Sequence, residues 1–196
     1  METLQAIEWA VGVEAKLNSA TCSKTNTLLT IFAYILIWLQ PVMFTTFSVK
    51  GDKRFPLYYT IYTLIVAMIN LFVGFVNPAG GLDTMTLTEK NNYGQYTCTY
   101  MGEYGHLVWK FAISTFVYQP THFVYHSVIL MIFMFNYDFI LKTTIALGWT
   151  LTFFVSLYSV GNGAELTSYW CLLSVFADIP ILIYTTFHKY NKQKKV

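Results

Sequence analysis

Long stretches of this 196-residue chain contain no Asp, Glu, Lys or Arg. Four of them lie between Lys24 and Lys50, between Arg54 and Asp83, between Lys110 and Asp138, and between Lys142 and Glu165. An apolar stretch of roughly 18 or more residues is long enough to cross a lipid bilayer as a helix. Only 11% of the chain is charged, whereas soluble domains carry about 25%. The sequence therefore predicts a multi-pass integral membrane protein.

The apolar stretches predict an all-α fold, a polytopic transmembrane bundle of about six spans forming one domain over residues 1–196. Predicted spans cover 27–47, 57–76, 120–136, 143–160 and 166–187, and the N-terminal segment 2–18 is either a sixth span that carries Glu8 inward or a surface helix. Pro120 should break a helix that would otherwise be too long for the bilayer. Residues 106–118 are then expected to form a short helix or re-entrant piece.

Basic residues predict the orientation. With six spans, the 48–54 loop, the turn at Lys142 and the basic tail 188–196 share one side of the membrane. The positive-inside rule places that side, and with it both termini, in the cytoplasm. Cys22 and Cys98 then lie on the opposite side, where oxidising conditions would permit a disulfide between them. The alternative is two free thiols.

The 93–104 loop carries tyrosines at three- and four-residue spacing. These are Tyr93, Tyr96, Tyr100 and Tyr104. Tyrosine is common at membrane interfaces, so the spacing favours an interfacial helix or cap rather than a binding surface. The net charge of +2 gives no indication of nucleic-acid binding.

Two histidines, His122 and His126, have the i, i+4 spacing of a helical metal pair. A catalytic zinc would need a third ligand and an open position, and no acid lies close to the pair in the sequence. We therefore expect packing or hydrogen-bonding histidines, with metal ligation as the alternative, and we predict no cofactor.

Asp178 lies about 12 residues into the last predicted span, roughly 18 Å deep at 1.5 Å per residue. Ionisable groups at such depth usually face the bundle interior and belong to transport paths. The alternative is a structural acid that bonds to carbonyls freed by Pro180. Two Gln-Pro steps, at 40–41 and 119–120, would fit the broken helices of a transporter with an internal repeat.

Four short pieces of the sequence resemble an uncharacterised family of multi-pass membrane proteins from giant DNA viruses and some microbes. They are "METLQ" at the start, "WLQP" at 38–41, "HLVW" at 106–109 and "ELTSYWCLLS" at 165–174. The resemblance implies a helical bundle of unestablished activity, with a further helix before the first piece. The positions it marks are Glu2, Gln5, Gln40, Pro41, His106, Trp109, Glu165, Trp170 and Cys171.

Three functions remain open from the sequence. The first is transport of a small solute, ion or proton, with Asp178, His106, Glu165 and Gln40 as polar stations. The second is a structural or assembly protein of a viral or cellular membrane, without chemistry. The third is a metal-dependent intramembrane hydrolase. The expected partner is the lipid bilayer, self-association is left open, and the substrate is not specified.

Overall fold

The computed structural model describes residues 2–13, 22–48, 52–76, 93–94, 96–112, 122–135, 139–160 and 165–176, together with 179 and 183. The helices are α1 (Glu2–Val11), α2 (Lys24–Ser48), α3 (Arg54–Val76), α4 (His122–Met134), α5 (Phe139–Val160) and α6 (Leu166–Phe176). The strands are β1 (Tyr93–Gly94), β2 (Cys98–Met101) and β3 (Leu107–Ala112). Within these ranges the protein is mostly helical.

Within the described ranges, three helices are long and apolar enough to cross a membrane. They contain the stretches Lys24–Thr46, Arg54–Val76 and Lys142–Val160, which coincide with the spans predicted at 27–47, 57–76 and 143–160. Helix α1 has 10 residues and α4 has 13, so at 1.5 Å per residue they reach about 15 and 20 Å, short of a hydrocarbon core of roughly 30 Å. As described, the N-terminal helix is too short to be a sixth span.

The helices share one apolar core. Residues from α2, α4 and α6 fill its centre: Ala33, Tyr34, Trp38, Val128, Ile129, Ile132 and Trp170. Pro41 lies inside α2, which continues through it to Ser48, so the first Gln-Pro step does not break its helix. The second step, at 119–120, lies outside the described residues.

A three-stranded sheet packs against these helices. Its order is β1-β3-β2, with β3 parallel to β1 and antiparallel to β2. All six residues of β3 are buried, so both faces of this central strand are covered. On one face Leu107, Trp109 and Phe111 join the helix core, and on the other Val108 packs with Cys98 and Tyr100.

The sheet corrects three sequence predictions in part. The described residues are mostly helical but include strands, so the fold is not all-α. Residues 107–112 are a strand, so the short helix predicted as one alternative for 106–118 is wrong there. For the tyrosine-bearing segment, the predicted alternatives are an interfacial helix and a cap, and the helix is wrong because residues 98–101 form a strand. The physical reason lies in the turn at 102–106, where Gly105 has a φ of +77°. Glycine adopts this left-handed conformation without a steric cost, and it closes a hairpin between two short strands rich in Val, Thr, Tyr and Trp, which favour strands.

Candidate functional site: the polar contacts of the cap

We call residues 96–112, which hold β2, the 102–106 turn and β3, the cap. Two buried glutamates contact it from opposite ends of the sequence. Glu8 on α1 is 2% exposed and Glu165, just before α6, is fully buried. Isolated buried charges are costly, so the partners of these two carboxyls determine what the site can do.

Glu8 lies between the cap strands. The Trp109 indole Nε1–H donates to the Glu8 carboxyl, 3.0 Å from Oε2, and the Thr99 hydroxyl oxygen lies 3.0 Å from Oε1. Thr99 and Trp109 are paired across β2 and β3, so both side chains lie on the same face of the sheet. Burial raises the pKa of Glu8 above its ordinary value, while the Trp109 and Thr99 bonds lower the pKa in part.

Asn26 joins the start of α2 to the cap. Its side chain forms two bonds with the Thr99 backbone: Asn26 Nδ2 donates to the Thr99 carbonyl at 2.9 Å, and the Thr99 amide donates to Asn26 Oδ1 at 2.8 Å. One turn later, the Thr30 hydroxyl lies 2.7 Å from the Thr99 hydroxyl and 2.8 Å from the Asn26 carbonyl oxygen. The polar groups thus form a chain from Glu8 through Thr99 and Thr30 to Asn26.

Glu165 is held by the cap turn. The Tyr104 amide donates to Glu165 Oε1 at 3.0 Å, and the His106 amide donates to Oε2 at 2.9 Å. The Glu165 carbonyl accepts the Tyr169 amide, so the backbone starts α6 while the side chain reaches out to the turn. A Cβ at Gly102 would overlap the Glu165 side chain, so a glycine is needed for this close approach.

Two further contacts fix the ends of the cap. A disulfide joins Cys22 to Cys98 with a Cα–Cα distance of 5.9 Å, which is the pairing considered from the sequence. The Leu107 amide donates to Ser168 Oγ on α6 at 3.2 Å. The cap is therefore tied to the starts of both α2 and α6.

Lys110 is buried in β3, and its burial lowers the pKa to about 8. It pairs with Cys98 across the sheet. Successive strand residues point to opposite faces, so Lys110 lies on the face away from Trp109 and Glu8.

His126 belongs to an aromatic cluster between α4, α5 and α6. Its ring is 4.5 Å from Phe153 and 4.9 Å from Trp170, and its Nδ1 accepts a hydrogen bond from Trp149 Nε1 at 3.1 Å. This indole therefore occupies one of the two ring nitrogens that could bind a metal. The His122 side chain lies outside the described residues, and among those described no three His, Cys, Asp or Glu side chains are grouped to hold a metal ion.

The structure brings some predicted positions together and leaves others apart. His106 and Glu165 meet at the cap turn, and Trp109 meets Glu8. Gln40 lies elsewhere, where its Oε1 accepts the Tyr125 hydroxyl. Four of the remaining positions are described. Gln5 bonds weakly to the Ser168 carbonyl at 3.5 Å, and the Trp170 indole donates to the Thr152 hydroxyl. Pro41 lies within α2 and Cys171 lies on α6. Asp178 and the Glu2 side chain lie outside the described residues.

Sequence reasoning missed Asn26, Thr30 and Thr99. All three are uncharged residues inside or beside apolar segments, so no charge marks them. The alternation of Thr97, Cys98, Thr99 and Tyr100 is the two-residue period of a strand, and it could have indicated that both threonines share one face.

The two buried carboxyls, those of Glu8 and Glu165, have hydroxyl, indole and backbone partners among the described residues. These contacts are polar ties between the cap and the helices.

These features define a mostly helical protein with helices of membrane length and a small disulfide-linked sheet. The chain belongs to the family of unknown function DUF5765, which matches residues 1–194. It is also 33% identical over 191 residues to "Uncharacterized protein R287" of Acanthamoeba polyphaga mimivirus, an alignment that covers 94% of this chain and 78% of that protein. No solved structure shows significant similarity. The resemblance to an uncharacterised giant-virus family is thus confirmed at the level of the family.

Proposed function

We propose that this chain is a multi-pass integral membrane protein with a structural or assembly role in a viral or cellular membrane. Large apolar side chains on the outer faces of α3 and α5 support the membrane location: Phe72 is 68% exposed, Phe139 71% and Tyr158 92%. Soluble proteins rarely expose contiguous apolar surfaces of this kind. Lipid contact would remove these faces from water.

The position of the cap supports an orientation. The starts of α2 and α6 both bond to the cap, and α1 packs there through Glu8. The basic 48–54 loop and Lys142 lie at the other ends of α2 and α5. We therefore place the cap and the N-terminus together on the non-cytoplasmic side and the C-terminus in the cytoplasm. This orientation differs from the one expected for six spans, which put the N-terminus in the cytoplasm.

The observation that carries the structural role is the use of the two buried carboxyls. Glu8 and Glu165 each link the cap to a helix distant in sequence, and the Cys22–Cys98 disulfide adds a covalent link. Buried polar groups satisfied in this way fix one arrangement of the elements. Such a cap is suited to holding the helices together at the membrane surface.

Cysteine accessibility tests the membrane topology. In a Cys171→Ser background, Glu103→Cys in the cap turn should react with an impermeant maleimide on intact cells. Asp52→Cys and Val196→Cys should react only after the membrane is permeabilised. Labelling of Asp52→Cys from outside would overturn the orientation, and release of the chain from membranes at alkaline pH would overturn the membrane location.

Flux measurements test the structural role. Purified protein in sealed vesicles should pass protons, sodium and potassium no faster than empty vesicles or vesicles containing heat-denatured protein. Flux well above both controls would contradict the structural role and favour transport.

Transport is the second candidate, and Asn70 favours it. This residue lies in α3 and is 1% exposed; its Nδ2 donates to the Val66 carbonyl, while its Oδ1 has no hydrogen-bond partner among the described residues. Polar groups inside spans commonly mark substrate or ion paths, and Asp178 is predicted from the sequence to lie within the last span. If flux is found, Asn70→Leu and Asp178→Asn should each reduce it, while the exposed control Glu103→Gln should not. Full flux in both variants would contradict this path.

A further inference from the structure

The polar chain between Glu8 and Asn26 has three links. Glu8 Oε1 lies 3.0 Å from Thr99 Oγ1, which lies 2.7 Å from Thr30 Oγ1, which lies 2.8 Å from the Asn26 carbonyl oxygen. Thr30 Oγ1 also lies 3.1 Å from Asn26 Oδ1, so one Thr30 hydrogen can be shared between the two Asn26 oxygens. Each of the three links needs one hydrogen, and the two threonine hydroxyls supply one each, so the chain is one hydrogen short.

An ionised Glu8 cannot supply the missing hydrogen. Thr99 would then donate to Glu8 and Thr30 to Thr99, which leaves the Thr30 and Asn26 oxygens 2.8 Å apart with no hydrogen between them. The Asn26 side chain does not supply it, because the atom that faces Thr30 is the acceptor Oδ1, at 3.1 Å, which also accepts the Thr99 amide; its donor Nδ2 bonds to the Thr99 carbonyl. Two lone-pair-bearing oxygens at that distance repel each other.

A protonated Glu8 supplies a hydrogen for every link. Its O–H donates to Thr99, Thr99 donates to Thr30, and Thr30 donates to the Asn26 carbonyl at 2.8 Å, with Asn26 Oδ1 as a second acceptor of the same hydrogen at 3.1 Å. The other Glu8 oxygen, Oε2, still accepts the Trp109 indole N–H at 3.0 Å. We propose that Glu8 is a proton-binding site, a carboxylic acid at neutral pH whose proton completes this chain and fastens α1 to the cap.

The surroundings of Glu8 agree with a neutral acid. Among the described residues, the polar groups that face it are Thr99 from β2 and Trp109 from β3, with Thr30 and Asn26 of α2 one contact further away. The lysines nearest in sequence to these residues do not join them: Lys24 on α2 is exposed, and Lys110 lies on the opposite face of the sheet. Burial is the largest cause of the raised Glu8 pKa, and no neighbouring charge contributes to it.

The sign of the pH dependence follows from this pKa. Because the folded protein holds the proton more tightly than the unfolded chain, the stability it confers is complete below the ordinary pKa of 4.5. It is lost as the pH rises through the raised folded-state pKa. Lys110 changes the stability in the opposite direction. Burial lowers its pKa to about 8, so the folded protein binds this proton less tightly than the unfolded chain, and the resulting loss of stability diminishes as the pH rises.

Infrared spectroscopy and thermal unfolding of the full chain in detergent test the proposal. At about pH 7 the wild type should show the carbonyl stretch of a protonated carboxylic acid. Glu8→Gln should lose that band, while the exposed control Glu103→Gln should keep it. The wild-type unfolding midpoint should fall as the pH rises above the ordinary pKa of 4.5, and Glu8→Gln, whose amide donates to Thr99 at any pH, should not show this fall.

Three results would overturn the proposal. One is an equal acid band in wild type and Glu8→Gln, and another is an equal fall of their unfolding midpoints with pH. The third is a Glu8→Gln variant that fails to fold, because the amide reproduces the hydrogen pattern of the neutral acid. Thr99→Ser, which keeps the hydroxyl, should retain the wild-type pH dependence. The inference does not depend on the proposed structural role, since it concerns protonation and not flux.

Discussion

Replacing Glu165 with Ala should destabilise the protein strongly, because it removes the acceptor for two backbone donors. The fully buried carboxylate accepts the Tyr104 and His106 amides, at 3.0 and 2.9 Å. A buried donor left without a partner costs about 1–3 kcal/mol, so the two together cost about 2–6 kcal/mol. Water that reaches the part-buried turn would bring the loss toward the lower figure. Glu165→Gln should be intermediate, since its amide retains one acceptor oxygen.

Unfolding in detergent, by heat or denaturant, measures this loss. Glu103→Ala is the matched control, because Glu103 lies in the same turn and is exposed, and a surface change of this kind should stay within about 0.5 kcal/mol. Gly102→Ala should reproduce much of the Glu165→Ala effect, since its added methyl overlaps the Glu165 side chain. If the Glu165→Ala variant has the same free energy of unfolding as the Glu103→Ala variant, the carboxylate does not hold the turn and the reasoning is refuted.

Two further predictions concern the cysteines and the histidines. Mass spectrometry of unreduced protein should find the Cys22 and Cys98 peptides linked, and alkylation of both thiols without reduction would contradict the disulfide. Replacing His122 and His126 together with Gln should leave bound metal nearly unchanged, because His126 Nδ1 already accepts the Trp149 indole; loss of stoichiometric zinc in that double variant would show that the pair is a metal site.

The long helices could be predicted from the sequence because an apolar stretch of membrane length is visible without any knowledge of tertiary contacts. Uninterrupted apolar stretches of membrane length predicted α2, α3 and α5 with their ends correct to within four residues. The sheet could not be predicted in the same way. The apolar strand Leu107–Ala112 is buried on both faces, so it lacks the alternation of a half-exposed strand, and a short apolar run of this kind cannot be told from a helix by periodicity.

The site was predicted in part for a related reason. Glu165, His106 and Trp109 stood out through the motif resemblance, but the motif pieces did not mark Glu8, Tyr104 or Thr99. Glu8 and Tyr104 were noted from the sequence for other reasons, and their contacts with these residues were not predicted. The bond between Thr99 and Glu8 spans 91 positions in sequence, and that between His106 and Glu165 spans 59. A donor such as the His106 amide is a backbone group present in almost every residue, so no side-chain pattern could reveal it. Only the fold brings these groups together.

The contacts also explain what the motif pieces have in common. Gln40, Trp109 and Glu165 each bond to a residue on a different element: Tyr125, Glu8 and the cap turn. A catalytic motif would gather its side chains around one reacting position, whereas these three act at separate places and each joins two elements. Residues distributed in this way hold the elements of the fold together. We therefore expect a substitution at any of the three to lower the unfolding midpoint first, and to affect any activity only through the loss of folded protein.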